Sequence, residues 1–169
     1  MNNARVVKDW RRVPGAVDCA LRWLAKLAGM AAPFLLRVAL ALPFFKSGLT
    51  KWDGFLSLSP AASFLFQEEF KLHIFGQVYD LPAPGVLAFA SGSAEIILPV
   101  LLILGLATRL SALSLLSMTA VIQLIVPEGW ANFHLPWATM ATALIAIGPG
   151  RVSLDYWIRE FFERPQTSA

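Results

Sequence analysis

A single cysteine, Cys19, stands in the 169 residues, and only 15% of them are charged. One thiol cannot close a disulfide or carry dithiol exchange within the chain, and it cannot found a cysteine zinc module. There are two histidines, His73 and His134. Glu69 and His73 have i,i+4 spacing, but no third ligand lies nearby, so no metal is expected. Charge is missing over long stretches. Within 81–108 the only charged residue is Glu95; 110–126 has none, and 129–150 has only the ionisable His134. What is present is apolar: 57% hydrophobic residues and a mean hydropathy of +0.61. A typical soluble domain is about 45–50% apolar and about 25% charged. The composition excludes a disordered chain and argues against an ordinary cytosolic domain.

A helix crossing ~30 Å of hydrocarbon needs roughly 20 apolar residues. Spans are predicted at about 30–51, 84–106, 109–126 and 131–148. The fold class is therefore all-α, an integral membrane four-helix bundle, because lipid leaves backbone groups no partners but each other. Gly105 to Thr108 makes a tight connection with Thr108 as N-cap of the third helix. Pro127 and Gly129 break the chain, and Pro149 between two glycines stops the fourth span. The chain divides into a basic segment 1–29, a membrane domain 30–150 and a tail 151–169.

Arg5, Lys8, Arg11, Arg12, Arg22 and Lys26 precede the first span, Arg109 follows the second, and Arg151, Arg159 and Arg164 follow the fourth. The other side carries only Lys51 and Lys71, among Asp53, Glu68, Glu69, Asp80 and Glu128. The positive-inside rule places both termini in the cytoplasm of a bacterial-type inner membrane. The pI of 9.4 follows from that basic side; no basic stripe with interleaved aromatics points to nucleic acid. Arg11-Arg12 does not open a twin-arginine signal, since the apolar run begins late and continues too long.

Three segments flank the bilayer. Val17, Leu21, Leu24 and Ala28 have helical spacing, predicting a basic amphipathic helix on the inner leaflet, or an ordinary positive flank. In the tail, Ser153 caps a helix with Asp155 in its first turn; Leu154, Trp157, Ile158, Phe161 and Phe162 form one face, for the membrane surface or a partner. The outer connection, 52–82, is expected to fold over the mouth of the bundle. There Ser59-Pro60 reads as N-cap and N1 of a helix running to about Lys71, before Phe70, Leu72 and Ile74 alternate.

The spans carry few polar groups. Counted from the inner ends at 1.5 Å per residue, Lys46 lies at about 22 Å, Glu95 at about 18 Å, Gln123 at about 20 Å and His134 at about 21 Å. One polar layer is predicted, with Lys46 and Glu95 leaning toward each other and Pro99 freeing a carbonyl at that level. Ionisable groups at this depth mark a functional site by default; a buried structural Lys46–Glu95 pair, or Lys46 snorkelling outward, is the plainer reading. Ala138, Thr142, Ala146 and Gly150 are expected to face the bundle and carry His134 inward. Near the inner face, Arg37 is placed with Asp155, alongside Arg109 and Arg151. That cluster could hold an anionic lipid head or a partner's carboxylate, unless Arg37 only snorkels.

Several stretches, taken in order, resemble a family. The first span reads Leu-Leu-Arg37-Val-Ala-Leu-Ala-Leu-Pro-Phe-Phe-Lys-Ser-Gly48-Leu-Thr-Lys51-Trp. The second carries Ala94-Glu95-Ile-Ile-Leu-Pro99 and then Gly105-Leu-Ala-Thr-Arg109-Leu. The fourth ends in Gly148-Pro-Gly-Arg151-Val-Ser153-Leu-Asp155. Residues 31–157 are similar to the DoxX family of small four-helix membrane proteins. The resemblance implies an inner-membrane protein; some relatives are subunits of a thiosulfate:quinone oxidoreductase, and others associate with thiol- or superoxide-handling proteins. This chain has no cysteine pair and no nucleotide motif, so redox work would need a partner or a bound quinone to carry the electrons. A quinone's carbonyls would then meet Gln123 and His134, and Glu95, the candidate catalytic residue, would exchange the proton. The expected function is the membrane subunit or anchor of a redox-linked complex, working with a soluble or membrane oxidoreductase. The alternatives are a non-enzymatic scaffold or assembly protein and, less readily, a small transporter.

Overall fold

The computed structural model describes residues 15–163. Arg5, Lys8, Arg11, Arg12 and Arg164 of the sequence reading lie outside the described residues.

Helix α1, Gly15–Leu49, is continuous over 35 residues. At 1.5 Å per residue it is about 52 Å long, well beyond the hydrocarbon thickness. The amphipathic segment expected as a separate surface helix is therefore the opening of the first span's own helix. Nothing between the two ends it: 25–30 reads Ala-Lys-Leu-Ala-Gly-Met, and one glycine among good helix formers costs only about 1 kcal/mol. Leu21, Trp23, Leu24 and Leu27 of this extension are exposed.

The outer connection holds two hairpins and a capped helical turn. Strand β1 (Trp52–Gly54) pairs antiparallel with β2 (Ser57–Leu58), and β3 (Lys71–Ile74) with β4 (Gln77–Asp80). Between them lies α2, Pro60–Phe64; Ser59 is its N-cap, its Oγ accepting from the Ala62 N–H at 3.1 Å, with Pro60 at N1. The helix expected to reach Lys71 instead loosens into a π-helical turn, Leu65–Glu69, and gives way to β3. The Leu72 and Ile74 alternation is thus strand, and Phe75 and Gly76 turn the hairpin at positive φ. Glu69 and His73 consequently share no helix face. Across the hairpin Lys71 bonds Asp80 at 2.8 Å, and that hydrogen bond holds the Asp80 carboxyl below its usual range.

Helices α3 (Pro84–Leu104) and α4 (Thr108–Ile125) are joined by a tight turn at Gly105. A 3₁₀ turn, Pro127–Gly129, and a π-helical turn, Trp130–His134, lead into α5, Leu135–Ile147. Helix α6 is Leu154–Glu163. Among the described residues three helices are long and apolar enough to cross a membrane, within Val17–Leu49, Pro84–Leu104 and Thr108–Ile125. Helix α5 alone has 13 residues, about 20 Å.

Helix α1 packs on α3, α3 on α4, α4 on α5, and α5 back on α1. Leu40, Ala41, Phe44, Leu102, Ala112, Leu115, Ala141 and Leu144 fill the centre of this cycle. The inward face of α5 corrects the sequence reading. Ala141, Leu144 and Gly148 are buried, whereas Thr142 and Ala146 of the expected small-residue stripe are exposed. A strict four-residue row drifts about 40° per step on a 3.6-residue helix, so it leaves the packing face within two turns. The buried row steps by threes and fours, as packed helices require.

Two glycines set how closely α3 is approached. A Cβ on Gly48 would stand 2.9 Å from the carbonyl carbon and oxygen of Glu95, and one on Gly92 would stand 3.1 Å from the Trp52 ring. Gly48→Ala is expected to cost about 1–3 kcal/mol by overpacking. Gly29→Ala, with nothing within 4 Å of the added carbon, should stabilise α1 by up to about 1 kcal/mol. Thermal unfolding in detergent separates the two; equal effects would remove the close α1–α3 approach.

Candidate functional site

The Gly48 contact sets the level of α1 against α3. Helix α1 ends at Leu49, beside Glu95, while α3 begins eleven residues earlier at Pro84. Helix α1 therefore stops roughly 16 Å short of the loop end of α3. The space so created is a chamber of about 510 Å³ between α1, α3 and the outer half of α4. Phe66, Phe70 and Leu81 from the outer connection line one side of it, packed with Leu87, Ala88 and Ile125. The connection folds over this end of the helices through Phe66 and Phe70, while Phe55, Phe64 and Phe75 stay exposed.

The chamber's walls are apolar but for three serines, Ser47, Ser91 and Ser117, and one charged pair. Lys51 Nζ meets Glu95 Oε2 at 2.5 Å, with the two side chains 12% and 6% exposed. Ser47 Oγ accepts a second bond from Lys51 at 3.0 Å. The chain reaches this position by leaving α1 in a turn, Lys51 N–H donating to Gly48 O at 3.1 Å. Lys46, placed beside Glu95 by the sequence reading, is exposed. It lies two residues from the buried Phe44, about 200° around the helix, so it points away from α3. Depth counting missed Lys51 because it took every helix to cross the full thickness, which made Lys51 an outer flank.

Gln123 and His134 do come together, but away from the chamber wall. His134 Nδ1 lies 2.6 Å from Gln123 Oε1, and Gln123 Nε2 donates to Pro127 O at 3.0 Å. A Cβ on Gly129 would stand 2.6 Å from the His134 ring, so the imidazole fills the turn between α4 and α5. Neither residue lines the chamber. The four-residue layer therefore resolves into a Glu95–Lys51 wall, a Gln123–His134 bracket and an outward Lys46. His73, in β3, places its ring Nδ1 3.3 Å from Leu124 O. Among the described residues no cluster of three or more metal-ligating side chains occurs.

At the other end, where α3 turns into α4, Arg37 is 1% exposed. It donates to the carbonyls of Leu102 at 3.4 Å and Ile103 at 3.1 Å, and to that of Val152. Gly105 has φ 70°, and a Cβ there would strike Arg37 Nη1 and Ser153. Asp155 accepts from the N–H groups of Ala107 and Thr108, each at 2.8 Å. Its carboxylate, from 48 residues away, is thus the cap of α4, and Thr108 is the first helical residue rather than the cap. No ion pair joins Arg37 to Asp155 among the described residues; each binds backbone instead. Arg109 and Arg151 are exposed at the same end.

Apolar helices packed in a cycle, exposed leucines and isoleucines on their outer faces, and the buried charges Arg37 and Glu95 held on carbonyls and in an ion pair define an α-helical membrane protein. The DoxX family model matches residues 32–128. The chain belongs to the DoxX family. It is also 32% identical to an uncharacterized protein of Haemophilus influenzae over 163 residues, covering 86% of this chain and 93% of that one. No solved structure matches.

Lys51→Met should leave a buried carboxylate unpaired and cost about 3–5 kcal/mol, and Lys51→Met with Glu95→Leu should recover most of that loss. Lys46→Met should stay within about 0.5 kcal/mol. Unfolding of the three variants in detergent checks the pairing; a costly Lys46→Met would restore the sequence reading.

Asp155→Ala should cost about 1–2 kcal/mol by uncapping α4. Exchanging Arg37 and Asp155 should fail to rescue either single variant, because each faces backbone groups of one kind. Partial recovery of the folded yield would show that the two side chains pair.

Proposed function

We propose that this DoxX-family protein crosses the inner membrane four times, with both termini in the cytoplasm, and holds a quinone in the chamber. In this reading it serves as the membrane subunit or anchor of a redox-linked complex whose partner is a soluble or membrane oxidoreductase. The fourth crossing is supported by the turn that precedes α5, which extends the helical run to 130–147, about 27 Å. The orientation is supported by Arg22, Lys26, Arg109, Arg151 and Arg159, which lie at or beyond the end where α3 turns into α4.

One observation carries the ligand. A chamber of about 510 Å³ with apolar walls has a single buried ion pair in its side. Ligand sites of roughly 300–1,000 Å³ combine apolar walls with few polar groups that fix orientation. A quinone ring and its isoprenoid tail match such walls, and the ring carbonyls need a donor. Lys51 can donate to a carbonyl, and Glu95 beside it can pass a proton when the ring is reduced.

A non-enzymatic scaffold is favoured by the same pair read differently. Lys51 and Glu95 are already bonded to each other and clamp the end of α1 to α3, which a purely structural membrane protein would also need.

The two readings separate on one preparation. Protein solubilised gently with its native lipids should yield a quinone on organic extraction, seen as redox-sensitive ultraviolet absorbance. Ala94→Phe, which fills the chamber beside Glu95, should lower that yield about tenfold, the effect of about 1.4 kcal/mol, without loss of fold. Glu95→Gln should keep the fold and lose proton-coupled reduction of the bound ring. A lipid-retaining preparation without quinone sinks the ligand, and a fully functional Glu95→Gln reduces Glu95 to a clamp.

A further inference from the structure

Away from the chamber, a second hollow of about 250 Å³ lies between the first turn of α4 and α6. Arg109 and Arg159 stand in its wall, and both are exposed. Asp155 is the carboxylate there, and both its oxygens are taken by the Ala107 and Thr108 N–H groups. Arg159 meets Glu163 only at 4.0 Å, with both side chains well exposed. The hollow therefore offers two guanidinium heads against one carboxylate already engaged by backbone. Thr108 also belongs to the wall, and its Oγ1 is buried without a hydrogen-bond partner.

The rest of the wall is apolar and continues onto surface that meets acyl chains. Leu110 is 68% exposed on the outer face of α4. Ile158 is exposed on α6, on the side that carries Trp157, Phe161 and Phe162, 62%, 76% and 78% exposed. No described part of the chain covers this face. The Asp155 cap, with the Asp155 N–H bonded to Gly105 O at 2.8 Å, pins α6 to the ends of α3 and α4. A helix with one strongly apolar face, held at the end of a membrane bundle and flanked by arginines, has the composition of an interfacial helix.

We propose that this hollow is a binding site for an anionic phospholipid, its phosphate between Arg109 and Arg159 and its chains along Leu110 and Ile158. The site needs two things at once: a negative head at the level of the α4 first turn and an apolar tail beside it. A bilayer lipid supplies both. The proposal rests on membership of a membrane family and is independent of the quinone reading.

The test titrates the full-length protein in mild detergent with phosphatidylglycerol and with phosphatidylcholine, scoring bound lipid by native mass spectrometry. The wild type should bind phosphatidylglycerol more tightly than phosphatidylcholine. Arg109→Gln with Arg159→Gln should weaken phosphatidylglycerol about 25-fold, about fivefold per arginine, and leave phosphatidylcholine unchanged. Arg159→Gln alone, on an exposed helix face, keeps the test open if the double variant misfolds, and should weaken it about fivefold. Equal affinity for the two lipids, or an unchanged affinity in the variants, overturns the site. Full displacement of phosphatidylglycerol by millimolar glycerol phosphate also overturns it, because the hollow would then take a free anion.

Discussion

Gly48 lies against the backbone of Glu95, and that one contact determines where α1 ends relative to α3. No other residue type fits there without moving one helix. With α1 fixed at this level, its last residues stand far below the start of α3, and the missing turns leave a space. Protein must close that space on one side, because neither lipid nor water suits a half-open helix end. The hairpins and the capped turn α2 serve this purpose, and Phe66 after α2 is consequently buried. The same contact brings Lys51 round the end of α1 and down onto Glu95. Chamber, cap and ion pair are thus three consequences of one short helix.

The opposite end is held by a different device. Helices leave their last carbonyls and first N–H groups without partners. Arg37 takes carbonyls at the end of α3, and Asp155 takes N–H groups at the start of α4. A guanidinium offers several donors in a fixed planar fork, which lets one side chain bridge α3 and the segment after α5; a lysine offers a single point. Because the two charges are spent on backbone of opposite polarity, the turn stays tight without a direct salt bridge.

Much of this was legible in the sequence. Missing charge located the long helices, Ser59-Pro60 located the start of α2, and Gly105 located the turn. What failed has physical causes. A trans cap such as Asp155 is invisible when Thr108 sits in the local position that a cap normally takes. Lys46 was paired with Glu95 on depth and side-chain lean, and rotation about α1 overrode both. The α5 stripe was counted in fours, and helix geometry does not keep a row of fours on one face. The β3–β4 hairpin was signalled by the alternation at Phe70, Leu72 and Ile74 and by Gly76 after Phe75, but a helix signal from Ser59 was extended past its end. Lys51 was in plain view as a motif residue; only the early end of α1 explains why it matters.

The buried pair is also the place where stability and function give different expectations. Replacing a buried ion pair by well-packed apolar groups is often neutral or stabilising, since desolvation offsets most of the attraction. Closing α1 onto α3 would therefore be served as well by a leucine and a methionine as by Glu95 and Lys51. Apolar side chains would clamp the helices but leave the chamber with nothing to orient a polar head. A charged pair keeps its attraction within the wall and still presents donors and acceptors to whatever enters. A wall built only for packing would offer no such donors and acceptors, and this difference gives the Lys51–Glu95 contact its weight in the functional reading.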